Sequence, residues 1–274
     1  MFESLFYFLN VALLFIAIAA FGEHYAMISS LAEKSGKDYA KHIVFGFEKN
    51  IKTYPWFIWP YMAHFPILFF GYIFILVVGI PNNDRTLLLM VGALLLDFTS
   101  FALFLLFPTK VTPLIGGLID ANSLSPGKTR DLIANTNNNM PLFNSLPSLH
   151  VSQGLWLGFA LYELSAPLWL FVPYAIWFVL MCLGTVILKY HAILDGITGI
   201  ILGTLVYLMA VSLDVQAIKS FMSSLTATIS LLSIDVVLLY SAKEHSALLQ
   251  SFLSRKAHTK AEESQNTPSI TRAS

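Results

Sequence analysis

Long runs of apolar residues alternate with short polar segments along most of the chain. Several runs reach the roughly 20 residues that an α-helix needs to cross about 30 Å of hydrocarbon. In the bilayer the backbone polar groups must be satisfied internally. The pattern therefore predicts an all-α fold, a polytopic membrane helical bundle with a six-helix core. The predicted spans are about Leu5 to Phe21, residues 54–80, Thr86 to Phe107, Leu149 to Leu164, Leu168 to Leu188 and Ile193 to Leu213.

The polar segments divide the chain into four parts. Residues 1–53 are expected to hold the first transmembrane helix and a lysine-rich amphipathic connection at the surface. Residues 54–213 form the predicted membrane core, and residues 214–253 an extra membrane or interfacial helix. Phe221 to Tyr240 is apolar enough for a seventh span, but it contains Asp235 and many Ser and Thr residues. Residues 254–274 are predicted to be a disordered polar tail.

Composition supports this class of protein. Hydrophobic residues make up 56% of the chain and charged residues 12%, which is outside the range of soluble domains. The formal net charge of +0 argues against a nucleic-acid partner. The single cysteine, Cys182, lies in an apolar run and has no second cysteine with which to form an internal disulfide.

Two segments stand out from the apolar pattern. Residues 54–61, "YPWFIWPY", open the second span with four Tyr and Trp residues that favour the headgroup level. After Pro108, a loop of about forty residues precedes the fourth span, and loops of that length are usually functional or disordered. This loop carries the cations Lys110, Lys128 and Arg130.

Histidines begin the fourth and sixth spans. The first stands in Pro147-Ser148-Leu149-His150, and the second, His191, is followed four residues later by Asp195. Residues four apart share one helix face, so Asp195 can fix the tautomer of His191 and stabilise its charged form. An alternative is that both motifs only cap helix ends and satisfy free backbone N–H groups.

Two crossings of the membrane separate the histidines, so both are expected at the same end of the bundle. One site would then hold two histidines, a carboxylate and nearby cations. This set suits phosphoryl transfer, which needs a nucleophile, an acid for the leaving oxygen and positive charge for the phosphate oxygens.

With these motifs, the chain resembles the type 2 phosphatidic acid phosphatase superfamily, whose second and third motifs read roughly PSxH and HxxxD. The resemblance covers about residues 54–213. "FPTKVTP", "FNSLPSLH" and "KYHAILDGITG" look most like the branch that includes inositolphosphorylceramide synthase. The resemblance implies that His191 is the nucleophile, that Asp195 orients the His191 ring, and that His150 protonates the leaving group. No metal or other cofactor is implied.

The same resemblance implies a phosphate-binding set. Ser148 and nearby backbone N–H groups would bind phosphate oxygens. The family's first motif has a lysine followed by Arg-Pro, whereas Lys110 is followed by "VTPLIGG", so Arg130 is the candidate to replace that arginine. In the third motif Gly184-Thr185 stands where the family has Ser-Arg, which leaves Lys189 as the nearest cation. Lysine lacks the bidentate fork of arginine and would act as a point charge.

The expected activity is that of a lipid phosphatase or phosphotransferase, acting on a membrane lipid phosphate in the bilayer. Water accepts the phosphoryl group in a phosphatase, and an alcohol such as a ceramide or inositol-bearing acceptor does so in a transferase. Both remain open. Two non-enzymatic alternatives are a catalytically degenerate lipid-binding relative and a b-type haem carrier with the two histidines as axial ligands.

Four residues outside these motifs also have predicted roles. Asp97, in the middle of the third span, must have a partner or a functional role because a carboxylate is costly there. His64 is expected to be a satisfied core or interfacial histidine. Gly199 and Gly203 form a small-xxx-small pair that permits close helix packing.

Sidedness is open from the sequence. With seven spans, the lysine-rich segments and the active-site loops share one side, which the positive-inside rule places in the cytosol. The resemblance instead implies an extracytoplasmic or lumenal site on a multi-pass membrane protein, and this is the expectation adopted.

Overall fold

The computed structural model describes residues 27–79, 83–140, 143–220 and 224. The predicted first span and nearly all of the predicted seventh, together with the polar tail, lie outside the described residues. The chain divides into two compact units, Met1–Val215 and Gln216–Ser274. Only residues 216–220 and 224 of the second unit are described.

The described part of the chain is helical and contains no strand, which confirms the all-α prediction. Short 3₁₀ turns occupy much of residues 40–57. The α-helices are α1 (Ile58–Met62), α2 (His64–Gly79), α3 (Asn83–Leu106), α4 (Lys128–Asn139), α5 (Leu149–Glu163), α6 (Leu168–Ile187) and α7 (Ile193–Ser212).

Four helical segments are long and apolar enough to cross a membrane. They are Pro55–Gly79, Asp84–Leu106, Leu168–Ile187 and Ile193–Ser212, with 25, 23, 20 and 20 residues. Each agrees with a predicted span. The helix α3 begins at Asn83, three residues before the predicted start of the third span at Thr86.

The helix α5 lies at the centre of the bundle, in contact with α2, α3, α6 and α7. Trp156 and Leu157 of α5 are fully buried against the apolar side chains of its neighbours. The outer helices instead expose large apolar residues, as expected for surfaces that face lipid. Examples are Phe70 on α2, Trp169 on α6 and Leu205 on α7.

This central helix is also short. Its 15 residues extend about 22 Å, compared with about 30 Å of hydrocarbon. The segment that leads into it is buried at Asn144, Ser145 and Ser148. His150, in the first turn of α5, is buried together with this segment.

The predicted forty-residue loop differs from the expectation because it contains a helix. The Asn-rich stretch lies in α4, which packs on α1 through the fully buried Ile133. Asn137 donates to the carbonyl of Ile119 and accepts from the hydroxyl of Tyr190. Asparagine is a weak helix former, so these tertiary contacts override the local preference.

Candidate active site

The turn between α6 and α7 positions His191. The carbonyl of Thr185 accepts from the backbone N–H groups of both Tyr190 and His191, at 3.1 and 3.0 Å. Lys189 takes a left-handed conformation, with φ of 64°, which reverses the chain after α6. The imidazole of His191 is consequently held inside the bundle, with only 4% of the residue exposed.

Two oxygen atoms hold one nitrogen of this imidazole. His191 Nδ1 lies 3.1 Å from the carbonyl oxygen of Ser145 and 3.3 Å from Oδ2 of Asp195. Both oxygens accept hydrogen bonds, so Nδ1 carries the proton. The lone pair is then on Nε2, which is the nitrogen available for attack.

Asp195 combines the two roles that were alternatives in the sequence. Its Oδ2 accepts from the backbone N–H of Ala192 at 2.8 Å, which caps α7, and also faces His191 Nδ1. The carboxylate is completely buried. Helix capping and imidazole orientation therefore occur through one oxygen atom.

Ser148 stands at the N-terminal cap of α5 but does not cap it with its side chain. Its backbone N–H donates to the carbonyl of Asp195 at 2.9 Å, which ties α5 to α7 beside both histidines. The hydroxyl is buried and has no hydrogen-bond partner among the described residues. A buried polar atom without a partner marks a position where a ligand atom would be favourable.

His150 lies next to His191, with ring centroids 5.9 Å apart. The two motifs, 41 positions apart in the chain, thus meet in one site. Tyr61 also stacks on His150, with ring centroids 4.6 Å apart, and this tyrosine is buried inside the bundle. Neither ring nitrogen of His150 has a hydrogen-bond partner in the described part of the chain.

Glu48 joins the site from the lysine-rich connection, and nothing in its sequence context signalled this. Its Oε1 accepts from the N–H of Ile193 at 2.9 Å, so Glu48 and Asp195 together cap the first turn of α7. Burial raises the pKa of the Glu48 carboxyl, which also lies near the charge of Asp195. The ammonium of Lys189 donates to the carbonyl of Glu48.

The three predicted phosphate-binding cations occupy different surroundings. Lys189 is buried, and burial lowers its pKa, while one of its three N–H donors is used on Glu48. Lys110 Nζ lies 5.5 Å from the ring centroid of Phe143, two residues before the Ser145 carbonyl that holds His191. Arg130 pairs with Asp131 at 3.1 Å on α4, and no hydrogen bond or ion pair within the described residues joins it to the histidines.

A cavity of about 350 Å³ lies beside the motif that precedes His150. Leu146 and Pro147 form its wall on the side of the site. The remaining lining comes from the C-terminal end of α3 and from α7, two of the outer helices. It consists of Leu103, Phe107, Thr198, Ile201, Leu202 and Leu205. An apolar space therefore adjoins the polar site at Pro147.

The site defines a class of protein: a membrane-embedded helical bundle with a carboxylate-oriented histidine, a second histidine beside it and an unpartnered serine hydroxyl at a helix N-terminus. A family model described as PAP2 superfamily matches residues 36–209, and the chain belongs to this family. No curated protein and no solved structure gives a significant match. The four apolar helices and the family membership indicate a membrane protein, and the membership supports phosphatase-type lipid phosphoesterase chemistry.

Proposed function

We propose that the protein cleaves a lipid phosphoester in two steps through a phosphorylated His191. The observation that carries this proposal is the arrangement of His191, whose Nδ1 is held by Ser145 and Asp195 while Nε2 remains free. An imidazole fixed in this way is an activated nucleophile. Asp195 stabilises the positive charge that develops as the ring attacks.

In the first step His191 Nε2 forms a bond to phosphorus as the bond from phosphorus to the lipid oxygen breaks. His150, beside the nucleophile, donates a proton to the leaving oxygen. In the second step His150 takes a proton from the incoming water or alcohol, whose oxygen attacks phosphorus as the bond to His191 breaks. Inorganic phosphate or a new phosphoester is the product.

Phosphate binding is assigned to groups around this pair. The Ser148 hydroxyl and the N-terminus of α5 would donate to the phosphate oxygens. Lys110 is the cation placed next to the segment that holds His191, and Lys189 is buried at the turn itself. The apolar cavity beside Pro147 would take an acyl chain of the same lipid.

A turnover assay tests the proposal. Purified protein in detergent micelles is given phosphatidic acid and other lipid phosphates, with and without alcohol acceptors. The wild-type protein should turn over a lipid phosphate through a phosphoenzyme. The His191→Ala variant should form no phosphoenzyme. Release of inorganic phosphate alone indicates hydrolysis, while a new phosphoester in the presence of ceramide or another alcohol indicates a transferase of the inositolphosphorylceramide synthase type. No turnover on any lipid phosphate would contradict the mechanism and support the degenerate lipid-binding alternative. A phosphoenzyme that persists in His191→Ala would also contradict the mechanism, because another residue would then be the nucleophile.

We further propose that the chain is a multi-pass protein whose site faces the extracytoplasmic or lumenal side, as the family resemblance implies. The exposed Asn138 of α4 is a suitable reporter, in a Cys182→Ser background. An Asn138→Cys variant in sealed cells should react with a membrane-impermeant maleimide added outside. If the protein resides in an internal membrane, the same variant should be labelled only after that internal membrane is opened as well as the plasma membrane. Labelling as soon as the plasma membrane alone is opened would place the site in the cytosol, in line with the exposed lysines of residues 34–52.

A further inference from the structure

A chain of polar side chains extends from the middle of the bundle to His150. Asp97 of α3 accepts from Gln153 Nε2 at 2.8 Å, and Gln153 Oε1 lies 3.1 Å from His64 Nε2. The ring of His64 lies 4.7 Å from the ring of His150, centroid to centroid. Asp97 and His64 are 3% and 1% exposed and Gln153 is partly buried, so both ends of this chain are shielded from water. Its members come from three helices, α2, α3 and α5.

The order of donors and acceptors determines the tautomer of His64. The amide of Gln153 directs its N–H group to Asp97, so it presents its oxygen to His64. An oxygen can only accept here, so His64 Nε2 carries the proton. Nδ1 of His64 is then an acceptor, and it is buried without a hydrogen-bond partner among the residues described.

We propose that the chain formed by Asp97, Gln153 and His64 presents His64 Nδ1 as a fixed acceptor to His150, which makes His64 a positioning residue for the group that protonates the leaving oxygen. This inference rests on the proposed function of His150. It assigns His64 a role in the reaction in place of the satisfied core histidine expected from the sequence.

The chemistry of an acid explains why such an acceptor is needed. When His150 is ready to donate, both of its ring nitrogens carry protons. One proton points to the leaving oxygen, and the other needs an acceptor, because an unpaired N–H of a charged ring is costly in a buried site. Tyr61 and His191 also contact the ring, and His64 Nδ1 is a neighbouring acceptor that has no hydrogen-bond partner among the described residues.

A neutral acceptor differs from the carboxylate beside His191. It orients the ring of His150 without adding a second negative charge next to the phosphate. The charge of Asp97 remains at the far end of the chain, where it sets the orientation of the Gln153 amide. His191 thus has a direct carboxylate partner and His150 an indirect one, which suits a nucleophile and an acid, respectively.

Two substitutions of His64 separate this role from a purely structural one. In His64→Asn the amide reaches about the position of Nδ1, so the acceptor towards His150 is kept and the contact with Gln153 is lost. In His64→Gln the amide reaches about the position of Nε2, so the contact with Gln153 is kept and the acceptor is lost. A structural role predicts that His64→Gln performs better, whereas the proposed role predicts that His64→Asn does.

The test compares two phosphate esters with different leaving groups. The rate measured is that of the first step, formation of the phosphoenzyme, because His150 also acts on the incoming water in the second step. For phosphatidic acid, whose alcohol needs a proton, this rate in His64→Gln should fall about 10-fold or more. For 4-nitrophenyl phosphate, whose phenolate leaves unprotonated, it should change less than about 3-fold. His64→Asn should recover part of the loss. Equal losses on the two esters, or the reverse ranking of the variants, would overturn the inference.

A second measurement does not depend on turnover. Protein labelled with ¹⁵N-histidine, in detergent micelles, should show one ring whose proton is on Nε2 and whose signal is absent from His64→Gln. A proton on Nδ1 of that ring would overturn the inference even if the enzyme is active. Conversely, the expected tautomer in a protein that turns over no phosphate ester would contradict the proposed function and leave the polar chain itself supported.

Discussion

At the scale of single residues, backbone groups do much of the positioning. The Ser145 carbonyl holds His191, the Ser148 N–H reaches Asp195, and Lys189 donates to the Glu48 carbonyl. The Ser148 hydroxyl, in contrast, has no hydrogen-bond partner within the part of the chain that the structure describes. The motif residues are recognisable from the sequence because their chemistry is particular to them. Their backbone partners have no such signature, because any residue type supplies a carbonyl or an N–H.

Lys110 is expected to contribute a charge to phosphate binding. Because its Nζ lies over Phe143, close in the chain to Ser145, loss of the ammonium in Lys110→Ala should lower turnover of phosphatidic acid by roughly 10²-fold, as for one positioned donor. Lys52→Ala is the matched control, since Lys52 Nζ also lies over an aromatic ring, 5.3 Å from the centroid of Tyr54. It should keep normal turnover. A near-normal rate for Lys110→Ala would return this lysine to an ordinary interfacial role.

At the scale of elements, two contacts decide the geometry of the site: the packing of α5 on α7 and the cap on α7. A Cβ on Gly199 would lie 2.7 Å from the carbonyl oxygen of Ser148, and one on Gly203 would lie 2.8 Å from that of Ser152. The close packing predicted from the small-xxx-small pair is therefore present. Because α5 carries His150 and α7 follows directly after His191, this packing determines the separation of the two histidines.

Substitution of Gly199 should consequently impair both stability and activity. Gly199→Ala forces α7 away from α5, which should cost about 1–3 kcal/mol and lower the thermal midpoint in detergent. Turnover should fall with it because the histidines separate. Gly196→Ala is the control on the same helix, where a Cβ meets nothing within 4 Å, and it should be neutral or slightly stabilising. Similar behaviour of the two variants would contradict this account of the packing.

The Glu48 cap should make stability depend on pH in a definite direction. Burial raises the pKa of Glu48 in the folded state above its unfolded value. The contribution of Glu48 to the stability of the fold is therefore fully present below the pKa that its carboxyl has in the unfolded chain. This contribution is lost as pH rises through the pKa of Glu48 in the folded state. Glu48→Gln keeps an acceptor for the Ile193 N–H but cannot ionise.

The thermal midpoint of Glu48→Gln should therefore decrease less than that of the wild type between about pH 5 and about pH 8. Glu33→Gln, at an exposed position in the same N-terminal part, is the control and should follow the wild type. The idea fails if Glu48→Gln also follows the wild type over this range.

At the scale of the whole molecule, a buried polar site and an apolar cavity meet at Pro147. The cavity is lined by lipid-facing residues of α7, so an acyl chain could enter it from the bilayer while the headgroup reaches the histidines. This arrangement supports a substrate that stays in the membrane during the reaction.

Filling the cavity should weaken the use of long-chain substrates. Ile201→Trp should raise KM for a long-chain phosphatidic acid by about tenfold, since burial of two methylene groups is worth about 1.6 kcal/mol. The rate with 4-nitrophenyl phosphate should stay unchanged. Ile200→Trp is the control, because Ile200 is exposed on the same helix and does not line the cavity. Equal KM values for the two variants would show that the acyl chain lies elsewhere.

The sequence alone determined the helical membrane class, four of the apolar spans between residues 55 and 212 and the superfamily, because the bilayer imposes length and apolarity on each helix and because motif chemistry is local. Only the tertiary structure revealed that residues 128–139 of the predicted loop form a helix and that Glu48 caps α7. It also revealed that Tyr61 stacks on His150 and that Asp97 connects through Gln153 to His64. Each of these depends on contacts between residues far apart in the chain. Local pattern does not encode such contacts, since they are set by how the helices pack and by which buried polar groups must find partners.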